Sequence, residues 1–162
     1  MSPIEETLVE VFLDEASALE TIMADLYSSF EKWFVEDAVF WKQLADEELN
    51  HAALIQNVKS DPEVSKWFVH DAPDALLKEI VNTKEWATSL VIKFLETKPS
   101  RLTAFNTAIE AEKTAWELHY QGLMTKESDA WFKKILQELN ELDRDHLKRI
   151  NQYVIENKIA DK

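Results

Sequence analysis

The chain has no cysteine, one glycine (Gly122) and four prolines (Pro3, Pro62, Pro73, Pro99) in 162 residues. Without cysteine there are no disulfides, iron–sulfur clusters, thiolate zinc sites or cysteine nucleophiles. Turn-rich all-β folds and phosphate-cradling loops need residues that adopt positive φ without strain. A chain with one glycine cannot supply them, which excludes a Rossmann or P-loop nucleotide site. Positive charge is scarce as well. Eighteen Lys and Arg stand against 31 Asp and Glu, a formal net charge of -13. Such a surface repels phosphate backbones and anionic headgroups, so neither nucleic acid nor membrane is an expected partner, whereas divalent cations are attracted. No run approaches the roughly 20 apolar residues of a membrane span. The first residues, MSPIEETLVEVFLDE, are acidic where a secretion signal carries positive charge. A cytoplasmic location is the expectation.

What is present is helix-forming sequence. Hydrophobic residues make up 46% and charged residues 30%, a balance that supports one domain over residues 1–162 with a core of its own. Apolar residues recur every three or four positions. The first pattern runs from Pro3 to about Trp33, with Ser2 as N-cap and Leu8, Phe12, Ala16, Leu19, Met23, Leu26 and Phe30 on one face. The second runs from about Glu36 to Ser60 and carries Phe40, Trp41, Leu44, Ala52, Ile55 and Val58, until Asp61-Pro62 stops it. Residues 61–73 read as a loop. A connecting pattern capped by Asp74 extends to about Thr97 with Leu77, Ile80, Val81, Leu90, Val91 and Phe94. Arg101 to Met124 forms the next, and a last helix opened by Glu127 or Ser128 reaches about Asn157. These patterns predict an all-α protein of four long helices and one shorter connecting helix: an antiparallel four-helix bundle with a long, partly helical crossover connection.

The chemistry lies in what interrupts the apolar stripes. On the second helix Trp41, Leu44, Glu48, His51 and Ile55 share a heptad face, so a Glu and a His point where core is expected. Leu136, Leu139, Asp143, His146 and Ile150 repeat the arrangement on the last helix. Phe105, Ile109, Glu112, Trp116, His119 and Leu123 do so on the fourth pattern, and Glu20 lies between Ala16 and Met23 on the first. With 31 acids among 162 residues and four histidines, about 0.8 acid–x–x–His pairs arise by chance. The two present gain meaning from their buried position, since residues three apart on one helix face can share a metal ion. Four ionised carboxylates in one core layer are costly unless neutralised. Glu20, Glu48, Glu112 and Asp143 carry four negative charges, which two divalent cations balance, with His51 and His146 as neutral ligands. In a metal-free core the imidazoles are expected to stay neutral.

ADEELNHAAL (45–54) resembles the Glu-x-x-His helix of rubrerythrin-type, ferritin-like proteins. Glu20 with Tyr27 seven residues later is similar to their first-helix ligand and its packed aromatic. AIEAEKTAWELHY (108–120) and LNELDRDHLKRI (139–150) resemble their third and fourth bundle helices. The resemblance implies a ferritin-like fold and a non-haem di-iron site that handles ferrous iron, dioxygen or peroxide, as a ferroxidase or a peroxide-reducing oxidoreductase. Three features depart from the pattern: no cysteine-rich rubredoxin module, so peroxide turnover would need an external electron donor; Asp143 where the family usually has Glu; and His119 where many relatives have Tyr.

Other assignments compete. Glu15 rivals Glu20, and Glu110 rivals Glu112. Asp143 and His146 sit in charge-dense ELDRDHLKR, which also fits a solvated face. His119 and Tyr27 read best as residues that support the ligands, His70 as a loop residue and the six Trp as core. Manganese or zinc would suit the same donors as iron. The competing function is a non-enzymatic bundle that binds metal or a protein partner without redox turnover, and a homodimer is the default assembly.

Overall fold

Periodic apolar faces become five α-helices among the described residues: α1 (Pro3–Trp33), α2 (Ala38–Lys59), α3 (Pro73–Glu96), α4 (Arg101–Met124) and α5 (Ala130–Glu156). The computed structural model describes residues 3–60, 73–124 and 130–160, with side chains over 10–60, 74–115, 134 and 137–160. The expected loop at 61–72, His70 and the opening of the last helix lie outside the described residues. So do the side chains of Leu8, Trp116, His119, Leu123 and Leu136.

Two helix starts differ from expectation. A 3-10 turn, Val35–Asp37, intervenes before α2, which therefore begins at Ala38 rather than Glu36. Pro73 opens α3, so Asp74 lies inside its first turn instead of capping it. Proline's fixed φ suits the first helical position, where its missing N–H costs nothing. The connecting helix spans nearly the expected range, but at 24 residues it is as long as α4 rather than shorter than the bundle helices.

Contacts give the directions. Lys59 pairs with Asp14 (2.7 Å) at one end of α1 and α2, and Tyr27 stacks on Trp41 (5.9 Å) toward the other, so these helices are antiparallel. Glu15 pairs with Lys84, and the Trp33 indole N–H donates to the Phe94 carbonyl (2.7 Å), so α3 runs along α1 in the same direction. Phe105 and Tyr153 meet at 5.5 Å and Glu112 and His146 at 3.3 Å, which makes α4 and α5 antiparallel. These three pairs are the ones whose backbones pack closely. By contrast, α2 and α5 meet through side chains, from Phe40–Tyr153 (4.1 Å) to Glu48–His146 (3.1 Å).

The core is aromatic at one end. Phe30, Trp41 and Phe105 are fully buried, with Trp41 and Phe105 4.4 Å apart. Burying each such side chain contributes about 2–3 kcal/mol. On α3 the buried line is Leu76, Ile80, Ala87 and Phe94, while Leu77, Val81, Leu90 and Val91 are only half-buried. Ile109 of α4 is likewise half-buried rather than on the core stripe. Just after α5 a left-handed residue, Lys158 (φ 49°), lets the Ile159 N–H donate to the Val154 carbonyl (3.1 Å) and tucks Ile159 into the core. Among the described residues no helix is long and apolar enough to cross a membrane.

Candidate metal centre

Heptad spacing carries Glu48 and His51 into the interior on the same face as Leu44 and Ile55, and all four are buried. On α5 the same spacing buries Asp143 and His146 between Leu139 and Ile150. Glu20 of α1 is buried beside His51, and Glu112 of α4 beside His146. The four acids are 2%, 1%, 0% and 1% exposed for Glu20, Glu48, Glu112 and Asp143, far below what solvated carboxylates show. The competing choices are settled as to burial. Glu15 is half-buried in its pair with Lys84, and Glu110 is exposed. Asp143 lies inside, not on a solvated face.

Glu48 is the centre of the group. Its Oε2 accepts from His51 Nδ1 (2.8 Å) and its Oε1 from His146 Nδ1 (3.1 Å). One carboxylate therefore spans two imidazoles, whose rings stack 5.2 Å apart at 19°. Glu20 stands 3.7 Å from His51 Nδ1, and Glu112 stands 3.3 Å from His146 Nδ1. Ligand atoms of Glu48, His51 and His146 lie within 4.8 Å of one another. Tyr27 donates its hydroxyl to Glu112 Oε1, while Glu112 Oε2 is buried without a hydrogen-bond partner among the described residues. Asp143 acts on Tyr27 through its charge. Beside this group, Ser17 Oγ donates to the Ala52 carbonyl (3.2 Å) and holds α1 in register on α2.

Protonation follows from this packing. Burial, with the neighbouring charge of Glu112, pushes the Glu48 carboxyl up to about 8. For His51 burial favours the neutral ring, but hydrogen bonds to Glu20 and Glu48 outweigh it and raise the imidazole to about 10. The same contest at His146, with Glu112 and Glu48 as partners, ends at about 11. Burial and the charges of Glu112 and Glu48 raise Tyr27 well above the usual phenol value. The expectation that the metal-free imidazoles stay neutral is thus corrected. Each faces two carboxylates, and their attraction exceeds the desolvation cost.

Two residues were not anticipated. Glu47 Oε2 lies 2.9 Å from His146 Nε2 and also meets the guanidinium of Arg149. Desolvation raises the Glu47 carboxyl, yet hydrogen bonds from Arg149 and Gln43 bring it below its usual value. In sequence Glu47 is one position off the buried stripe, and its only signal was the Arg three residues after His146. Glu47, Asn50, His51, Leu54, Asp145, His146 and Arg149 line a cleft of about 640 Å³ between α2 and α5.

No protein family, curated protein or solved structure compared with the chain matches it. The chemistry of the donors stands by itself. Carboxylate oxygens and imidazole nitrogens suit iron, manganese or zinc. A buried carboxylate oxygen without a partner, Glu112 Oε2, is the kind of atom a cation satisfies. His146 offers Nδ1 toward the acids and turns Nε2 to Glu47, the arrangement that fixes the tautomer of a metal-bound histidine. The residues fit a metal centre.

Proposed function

We propose that the chain is a dimetal carboxylate protein of the ferritin-like, rubrerythrin type. In this reading Glu20, Glu48, His51, Glu112, Asp143 and His146 hold two divalent cations, iron foremost, and the protein handles ferrous iron, dioxygen or peroxide. The observation that carries it is the buried cluster of Glu48, His51 and His146, whose ligand atoms lie within 4.8 Å of one another, with Glu20 and Glu112 at 3.7 and 3.3 Å from its imidazoles and Glu112 Oε2 left over. Helix direction supports the fold assignment. Because α3 runs along α1, α4 returns in the direction of α2, as a bundle of two hairpins joined by a crossover requires.

Two bound redox-active ions supply one electron each to a two-electron oxidant. The chain's own residues prepare the place. Glu48 spans both halves of the site with one oxygen toward each histidine. Tyr27 orients Glu112 by donating to it, and Glu47 holds His146 Nε2–H so that Nδ1 faces inward. The apolar neighbours Leu44, Ile55, Leu139 and Ile150 exclude water from the flanks. With no cysteine centre in these residues, repeated peroxide reduction draws on an external donor.

One observation favours a second reading, a bundle that binds metal or a partner without redox turnover. The metal-free cluster closes most of its own hydrogen bonds, with protons on the histidines standing where cations would. Elemental analysis of protein purified from iron-replete cells separates the two readings, together with oxygen or peroxide consumption after ferrous loading. About two irons per chain with consumption of oxidant supports the first. Bound metal without oxidant consumption supports the second.

A further inference from the structure

We infer that the cleft between α2 and α5 is the port through which divalent cations reach the buried carboxylates, with Glu47 as the residue that receives them. The inference rests on the dimetal reading above. The acids of the centre are at most 2% exposed, so none can meet a hydrated ion at the surface. Glu47 differs: its side chain is 30% exposed, yet its Oε2 touches the buried ring of His146 at 2.9 Å. It therefore links solvent and interior. Both histidines of the centre open onto the same cleft, about 640 Å³ in volume, and Asp145 stands exposed at its mouth. This is also the side where the helices meet through side chains rather than closely packed backbones, so widening it disturbs little packing.

Glu47 is not free in the metal-free protein. Gln43 donates to its Oε1 (3.1 Å), and Arg149 spans both oxygens. An arriving cation competes with the Arg149 guanidinium for the same carboxylate. An ion held by Glu47 in place of Arg149 would lie beside His146, whose other ring nitrogen bonds Glu48. Arg149 has a second acid to turn to, Asp145 at 2.8 Å, so it need not be left unpaired. Arg149 acts as a gate, and Glu47 as the positioning residue for transfer inward.

Stopped-flow mixing of metal-free protein with cobalt(II), followed by its visible absorption, gives the rate of uptake and the final number of ions separately. Glu47→Gln should slow uptake about tenfold or more, because a focused negative charge at the mouth is lost. Glu47→Asp should recover part of the rate, and Arg149→Gln should raise it. Asn50→Trp, at an exposed lining position, should also slow uptake without altering any charge. This second block decides the matter if Glu47→Gln folds poorly. Wild-type rates in both Glu47→Gln and Asn50→Trp would overturn the port. A wild-type chain that takes up no cobalt would instead overturn the dimetal reading beneath it.

Discussion

Two groups of buried charge sit a few turns apart on the same helices, and they are built on opposite terms. At the aromatic end, Asp37 is 1% exposed and fully matched. Arg101 grips it through Nε (2.7 Å) and Nη2 (2.6 Å), and the Tyr153 hydroxyl donates to it at 3.0 Å. At the other group, Glu48 and Glu112 are met by imidazoles and a phenol, with one oxygen of Glu112 left unpartnered among the described residues. The first group brings its own permanent cation and holds the 3-10 turn to α4 and α5. The second borrows protons, and protons can be exchanged for metal ions. A buried acid is therefore no sign of function in itself; what decides is whether the chain supplies its counter-charge.

Breaking each group should give opposite results. Arg101→Ala leaves Asp37 buried and unmatched. Denaturant unfolding of the metal-free protein should show a loss of about 3 kcal/mol, the low end for breaking a buried pair because Arg101 is itself 31% exposed. Its metal count should not change.

The pH dependence separates the groups next. Glu48, raised to about 8, His51, raised to about 10, and His146, raised to about 11, all bind protons more tightly folded than unfolded. Their contribution is present at low pH and lost as pH rises, for Glu48 between roughly 5 and 8 and for the histidines from about 6.5 toward 10 or 11. Metal-free protein should therefore lose stability progressively between pH 6 and 9. Metal-loaded protein should show the reverse slope at acid pH, where protons compete with the ions. Identical profiles for the two forms, measured by thermal melts across pH, would remove the shared site.

Glu48→Gln is the mirror image of Arg101→Ala. Glu48→Gln removes the repulsion from Glu112 that pushes the Glu48 carboxyl up but turns an amide NH2 toward one imidazole N–H, so the two effects oppose each other. Stability should move by less than about 1 kcal/mol, while metal analysis should find the two-ion complement lost. The smallest effect lies outside both groups. Lys158→Gly relieves a left-handed residue and should add about 0.5–1 kcal/mol in the same unfolding assay, with metal count untouched.

These contrasts also mark what the sequence made legible. Glu48, His51, Asp143 and His146 stood out because helical spacing put them in line with leucines and isoleucines, and burial follows that line closely. The choice of Glu20 over Glu15 was not available locally, since it depends on Lys84 of a helix nearly 70 residues away. Glu47 escaped notice because a position one residue off the stripe has no periodic signature, and its partners lie about 100 residues on. The Asp37–Arg101–Tyr153 group joins three segments whose pairing no local pattern encodes. On α3 the apolar spacing marked a broad face, but the helix packs chiefly on α1, so only its central line is buried. One-dimensional periodicity reports which face is inside, and it is silent on which charge meets which.

A dimetal centre here requires metal ions to replace protons among these buried acids. Anaerobic titration of ferrous iron into metal-free protein near pH 7, by calorimetry in two buffers of different ionisation enthalpy, counts ions and released protons together. Two ions should bind per chain with two to three protons released, from His51, His146 and Glu48. No binding, or binding with no proton release, would contradict it.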